Sequence, residues 1–215
     1  MKTGTNMRKI CSFDVDPQVG FSPLCPNELP VPDGDKIVDA LNEQAKLADI
    51  RVASKDAHNP NGLWIADKEH PQFSPVGLPN IDIRWNRHCE IGQKGFDFLP
   101  GLPKPLEYDF VVYKGIEVDS HPYGACFTDM EEKRSTGIIE FLRDNDITDI
   151  IVGGLALNYC VSTTAIQLAK AGFRVFVNIS ATKSIGDPAE AINKMKECGI
   201  TICDTVEDVK KGILL

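Results

Sequence analysis

Six short runs dense in apolar and β-branched residues recur along the chain: KICSFDV at 9–15, DIRVAS at 49–54, DFVVYK at 109–114, DIIVGG at 149–154, FRVFVNI at 173–179 and GITIC at 199–203. Short apolar runs bounded by polar turns predict buried strands. Between most of them the period changes to that of a helix. Ile37, Val38, Leu41 and Ala45 make one apolar stripe after the turn VPDGD, and Ile138, Ile139, Phe141 and Leu142 make a second. YCVSTTAIQLAKAG makes a third, closed by Gly172. Asp187-Pro188-Ala189-Glu190 sets a capping Asp before a Pro at the first helical position, with Glu at the third, and predicts a further helix start. Strand alternating with helix requires right-handed crossovers and a parallel sheet covered on both faces. The pattern therefore predicts an α/β chain built as a three-layer α/β/α sandwich.

One segment breaks the rhythm. Residues 56–108 carry no clear helical period, hold seven of the fourteen prolines, and exceed the usual connection in an α/β unit. The same segment holds both tryptophans and three of the four histidines, which is poor composition for disorder. It is expected to be an ordered loop over the carboxyl ends of the strands, where ligands bind in open α/β sheets.

Composition narrows the picture. A chain of 215 residues, 42% hydrophobic, suits one domain, 1–215, with a single core. With 23 Lys plus Arg against 31 Asp plus Glu the formal charge is -8, so the net field repels phosphate backbones and anionic lipid, and nucleic acid is not an expected partner. Asp14 and Asp16 interrupt the first apolar run before it could act as a signal-peptide core, and no run reaches membrane-spanning length, so a cytoplasmic protein with no membrane partner is expected. Seven cysteines without a C-x-x-C argue against a disulfide framework or a structural zinc knuckle. A homo-oligomer is left open.

Among those cysteines Cys160 has a distinctive setting, between a strand ending near Gly154 and a helix beginning near Tyr159. A cysteine at a helix N-terminus has unpaired N–H groups and the positive end of the dipole beside it, which favour a thiolate and can hold an oxyanion. A buried structural thiol, or a phosphate site built on Gly153-Gly154, stays open at this point. Asp14 and Asp16 end the first strand and share a side by period two; Asp16, further out, is the better candidate for a base, with a turn cap as the alternative. Lys114 ends a third strand and adds an ammonium at the same sheet edge. Asp56 and His58, two apart in KDAHNP, can share a cation, with His70 or His88 completing a mixed oxygen and nitrogen set suited to Zn²⁺, Mn²⁺ or Fe²⁺; surface histidines are the alternative.

Taken in order, VDPQVGF at 15–21, DAH at 56–58, WNRHC at 85–89, VVYKG at 111–115 and GGLALNYCV at 153–161 resemble the segments of nicotinamidases (pyrazinamidases) in the isochorismatase-like hydrolase superfamily, and LPVPDGDKI resembles their approach to the first helix. The resemblance runs from about residue 10 to 180. It implies a central parallel sheet of about six strands. It also implies that Asp16, Lys114 and Cys160 form a catalytic triad, that Asp56, His58 and His88 ligate a metal, and that Phe21 and Trp85, with Tyr123 of HPYGACF, wall a pyridine ring. A cis Leu155-Ala156 peptide would aim the Ala156 N–H at the oxyanion beside that of Cys160. Pro17 and Gly20 depart from the polar residues common in the first motif; the 58–88 loop has no clear match for the extra ligand of some members, and Glu69 and His70 stay open for that place.

The implied reaction converts nicotinamide to nicotinate and ammonia through a thioester on Cys160, with pyrazinamide a further substrate, a divalent metal (zinc before manganese or iron) and no organic cofactor. Cys160 is then expected to alkylate ahead of the other six cysteines. A related amidohydrolase acting on a carbamoyl or ureido group, and a non-catalytic binding module on the same fold, are the alternatives. An isochorismatase proper would lack Cys160. The residues 119–130 receive no role.

Overall fold

A computed structural model describes residues 8–214. The first residues of the stretch read against a signal peptide, 1–7, lie outside it. The strands are β1 (Ile10–Val15), β2 (Ile50–Asp56), β3 (Pro75–Leu78), β4 (Ile81–Ile83), β5 (Phe110–Lys114), β6 (Asp149–Leu155), β7 (Arg174–Lys183) and β8 (Thr201–Cys203). The helices are α1 (Val38–Ala45), α2 (Ile138–Asp144), α3 (Ser162–Lys170), α4 (Ala189–Glu197) and α5 (Val206–Leu214). All six runs are strands of one sheet in the order β5-β2-β1-β6-β7-β8, every neighbouring pair parallel.

Hydrophobic patterning explains the layers. On one face Phe13 and Val15 of β1 pack with Ile138 and Leu142 of α2, Ala165 and Leu168 of α3, and Met195 of α4. On the other, Ile37 and Leu41 pack with Ala181, and Val209 and Ile213 of α5 cover Ile151 and Phe176. The seven residues of β6 are all buried, as a central strand covered on both faces requires. The helix at 189–197 starts one residue later than the sequence pattern implies, and the Asp187 carboxylate still accepts the Ala189 N–H at 2.9 Å. Among the described residues no helix is long and apolar enough to cross a membrane.

The proline-rich segment is ordered, and its unanticipated feature is the antiparallel β3–β4 hairpin. With strands of four and three residues and Pro75 opening the first, it leaves almost no alternating pattern to read. The segment crosses the sheet's carboxyl edge by backbone bonds such as Val19 N–H to Asp97 O (2.9 Å) and His58 N–H to Cys89 O (3.1 Å).

Candidate active site

The residues singled out in β1 separate. Asp14 and Asp16 do not share a side: the strand ends at Val15, and Asp16 takes a left-handed φ of 43°, which swings its side chain away from the alternation. Its Oδ1 accepts the Ser54 hydroxyl at 2.6 Å and its Oδ2 lies 2.9 Å from Lys114 Nζ. Asp14 turns instead to Arg51, 2.7 Å from Nη2, and to the Tyr108 hydroxyl at 2.9 Å. Asp16 thus faces Lys114 and Asp14 does not, a separation that period two could not supply.

Burial pushes the Asp14 carboxyl from 3.8 up to about 6, with Arg51 and Tyr108 offsetting only part of it. Between those values the folded chain holds a proton that the unfolded chain has released. The group's contribution to stability is therefore full below about pH 4 and is lost as pH rises through about 6. Asp14→Asn, isosteric with the neutral acid, should flatten this component; urea midpoints of the two proteins should lie nearest each other at pH 4, with the parent falling relative to the variant toward pH 7, and parallel curves would contradict the assignment.

Lys114, at the end of β5, is fully enclosed, and its ammonium touches Asp16, Asp56 Oδ1, the Pro122 carbonyl (3.2 Å) and Cys160 Sγ (3.6 Å). Burial opposes its charge, but the Asp16 and Asp56 carboxylates outweigh burial and hold its pKa well above the ordinary lysine value. Asp16 has the opposite balance: burial, helped by Asp56, lifts its carboxyl above the ordinary range against the pull of Lys114. Burial likewise raises the Cys160 thiol well above its usual value, with Asp16 and Asp56 adding to it and Lys114 opposing. The resting residue is thus a thiol, which corrects the expectation that the chain turn alone favours a thiolate.

That turn is a π-helical stretch, Leu157–Val161, leading into α3. The Leu155-Ala156 peptide is cis. The Ala156 carbonyl accepts Tyr159 N–H (3.1 Å) and Val161 N–H (3.2 Å). The paired glycines serve packing. A Cβ on Gly153 would meet Leu41 Cδ2 at 2.7 Å, and Gly154, at φ +127°, lies so close to β1 that a Cβ would meet Val15 O at 1.9 Å. This explains Gly153-Gly154 without a phosphate.

Asp56, His58 and His88 converge, with Asp56 Oδ2 3.3 Å from His58 Nε2 and 3.7 Å from His88 Nε2. Nδ1 of His58 faces the Gly115 carbonyl (3.2 Å) and Nδ1 of His88 the Asn86 carbonyl (2.6 Å), which leaves each Nε2 to face inward. His121 completes a group of four buried residues whose ligand atoms all lie within 4.8 Å of one another. Burial lowers the pKa of His88 and, more strongly, His121, favouring the neutral imidazole that a cation takes. His70 is exposed and bonded to Asp67 in its own turn, 3.2 Å from Nδ1, and Glu69 is exposed. Neither belongs to the group. Gln18 explains the first motif's spacing: its amide accepts Asp56 N–H at 2.8 Å and donates to Asp56 O at 2.9 Å, clamping the carboxylate's backbone.

A narrow cavity opens over these groups, lined by Phe21, Trp85, Tyr123, His88, His121 and Cys160, with Leu29, Tyr159 and Ile185 at its edges. Trp85 Nε1–H donates to the Tyr123 hydroxyl (3.1 Å), which donates to Asp82 of the hairpin (2.8 Å). Tyr159 meets Trp85 edge-on at 4.9 Å. Sequence reasoning missed Ser54, Tyr159, Trp64 and His121. Tyr159 was within reach, as the residue before Cys160 on the same turn.

Comparison with known proteins gives a consistent set of relatives. The isochorismatase domain family matches residues 15–207. A nicotinamidase of Acinetobacter baylyi is 30% identical over 174 residues, covering 80% of this chain and 79% of its own. The solved structure of an Acinetobacter baumanii nicotinamidase pyrazinamidase is similar with a TM-score of 0.85 and 27% identity, over 97% of this chain and 100% of that one. A Pyrococcus horikoshii pyrazinamidase solved in complex with zinc gives 0.73 at 29% identity, over 91% and 98%.

Proposed function

The chain belongs to the isochorismatase domain family, and from that premise we propose that it hydrolyses nicotinamide to nicotinate and ammonia through a thioester on Cys160, with pyrazinamide as a second substrate. One observation carries the reading: a single buried ammonium, Lys114 Nζ, joins Asp16 and Cys160 on one side to Asp56 of the imidazole cluster on the other. A ring held at the cluster would set its carboxamide against Sγ.

The residues divide the chemistry as follows. As Sγ attacks the carboxamide carbon, its proton passes to Asp16, and the charge that grows on the carbonyl oxygen is met by the Ala156 and Cys160 N–H groups, each a term of about 3 kcal/mol. Asp16 returns the proton to the amide nitrogen, the C–N bond breaks and ammonia leaves. Asp16 next takes a proton from the water that attacks the thioester, and Sγ recovers it as nicotinate departs. Lys114 keeps Asp16 ionised between these transfers, because protonating Asp16 would leave the ammonium with less to balance it. Phe21, Trp85, Tyr123 and Tyr159 enclose the ring and exclude bulk water.

The donor set fits a divalent cation, zinc before manganese or iron. His58 Nε2 is buried without a hydrogen-bond partner beside a carboxylate and a second imidazole whose outer nitrogen is already engaged. Asp56, His58 and His88 would hold it, and when bound it supplies a Lewis acid for the pyridine nitrogen, which fixes the ring relative to Cys160. No organic cofactor enters the scheme.

Ammonia release from nicotinamide, measured beside a carbamoyl or ureido compound, tests the reading. Preferential turnover of nicotinamide is expected, and preference for the ureido compound would replace it with the alternative amidohydrolase. His88→Ala should lose bound metal and raise KM by at least about tenfold, since ring positioning fails while Cys160 remains. Chelation should also speed hydrogen exchange across 56–108, because binding energy of the loaded state adds to the stability of the segment that supplies all three ligands. Unchanged KM and exchange after verified metal removal would contradict this role.

A further inference from the structure

His121 stands apart from every other imidazole in the chain. It is buried, and neither Nδ1 nor Nε2 has a hydrogen-bond partner, although such a ring ordinarily satisfies at least one nitrogen. His58 and His88 each have one nitrogen facing a backbone carbonyl, and exposed His70 pairs with Asp67. Leaving both nitrogens of a buried imidazole unpaired is costly unless another group takes one of them.

The ring geometry says which group. The centroids of His58 and His88 are 4.7 Å apart, those of His58 and His121 4.9 Å, and those of His88 and His121 5.6 Å. Three imidazoles sharing one zinc through a nitrogen at about 2.1 Å, with ligand angles of about 90–120°, place their centroids roughly 4.5–5.6 Å apart. The spacing is compatible with a shared cation, and the ligand atoms of Asp56, His58, His88 and His121 all lie within 4.8 Å of one another, with Trp64 packed against all three rings.

We propose that His121 is a fourth protein ligand, so that this chain holds its metal with Asp56, His58, His88 and His121. The proposal rests on the metal reading above. It also gives the segment around 119–130 a role. Next to His121, the Pro122 carbonyl accepts from Lys114, Tyr123 bonds Trp85, and the His121 N–H itself is tied to Asn80 O of the hairpin at 2.8 Å. Coordination through His121 thus locks together the strap that touches the triad, the aromatic wall and the hairpin. Four protein ligands leave room for one incoming donor, so the pyridine nitrogen enters a nearly closed site.

The chain has four histidines in all, which makes the test direct. In protein labelled with ¹⁵N-histidine and stripped of metal, one equivalent of zinc should move one ring nitrogen of each of three residues, His58, His88 and His121, to the shift of a zinc-bound nitrogen, leaving His70 in place. Only two such nitrogens would overturn the proposal. As a second reading, His121→Ala should weaken zinc binding at least about tenfold to a hundredfold, the loss seen when even supporting groups are removed, and should change the visible absorption of the cobalt-loaded protein. Unaltered affinity and spectrum in that variant would remove His121 from the ligand set and leave the three-residue metal site standing. Failure of the wild-type protein to bind zinc at all would overturn both, and ammonia release from nicotinamide would still report separately on the triad.

Discussion

Cys160→Ala is expected to lower ammonia release from nicotinamide by at least about 10⁴-fold, the scale on which removal of a covalent nucleophile acts. The charged groups around Sγ are poorly placed to replace it: Lys114, 3.6 Å away, is an ammonium with no free pair, Asp16 is the proton acceptor in the proposed reaction, and Asp56 is held by Lys114 and the imidazole cluster. The residue is small and the replacement smaller still, so the urea midpoint should stay close to that of the parent. Turnover at a comparable rate in the variant would exclude covalent catalysis by this residue. The raised thiol pKa also revises an expectation about labelling. A general alkylating reagent should reach Cys198 first, because it is exposed, whereas Cys160 is buried and protonated at rest.

Asp16→Asn should cost about 10²–10⁴-fold in kcat, since in the proposed reaction this one carboxylate acts as base in both half-reactions and as acid in the first. The amide keeps the size and one acceptor for Ser54, so the loss falls on proton transfer more than on folding. Asp14→Asn, bonded to Arg51 and Tyr108 outside the cavity, should leave kcat near the parent value. The pH profile carries the same assignment. With its carboxyl held above the ordinary range by burial, Asp16 must be ionised to take the thiol proton, so kcat/KM should fall on the acid side at a higher pH than an unperturbed aspartate would give. With Lys114 held well above its usual value, no alkaline loss from its deprotonation should appear near neutrality. A larger loss in Asp14→Asn than in Asp16→Asn would reverse the roles.

The six strands were legible because each is a compact apolar run between polar turns, and burial on both faces makes such runs nearly continuous. Lys114 and Asp56 were legible as polar residues at strand ends and Cys160 as a thiol at a helix start, and the geometry gathers Asp16, Asp56 and Cys160 around the Lys114 ammonium. What escaped depends on information no local pattern carries. The left-handed φ of Asp16 breaks the alternation within one residue of the strand, and the π-helical turn at Cys160 has the same apolar spacing as the start of an ordinary helix. His121 escaped because its neighbours in the cluster lie 63 and 33 positions away, at His58 and His88, and because HPYGACF has no period to assign it to a face. Its relation to them is set by the docking of its segment on Asn80 of the hairpin, an element that itself left little trace in the sequence.

In the proposed reaction the carboxamide carbon is transferred to Cys160 before it reaches water. Acid quenching during steady turnover of nicotinamide, followed by digestion and mass spectrometry of the peptide containing Cys160, tests it most directly. A nicotinoyl thioester on Cys160 is expected, more abundant when the quench is early and gone when substrate is exhausted. Steady ammonia release with the Cys160 peptide unmodified at every quench time, or with the nicotinoyl group on another residue, would contradict it.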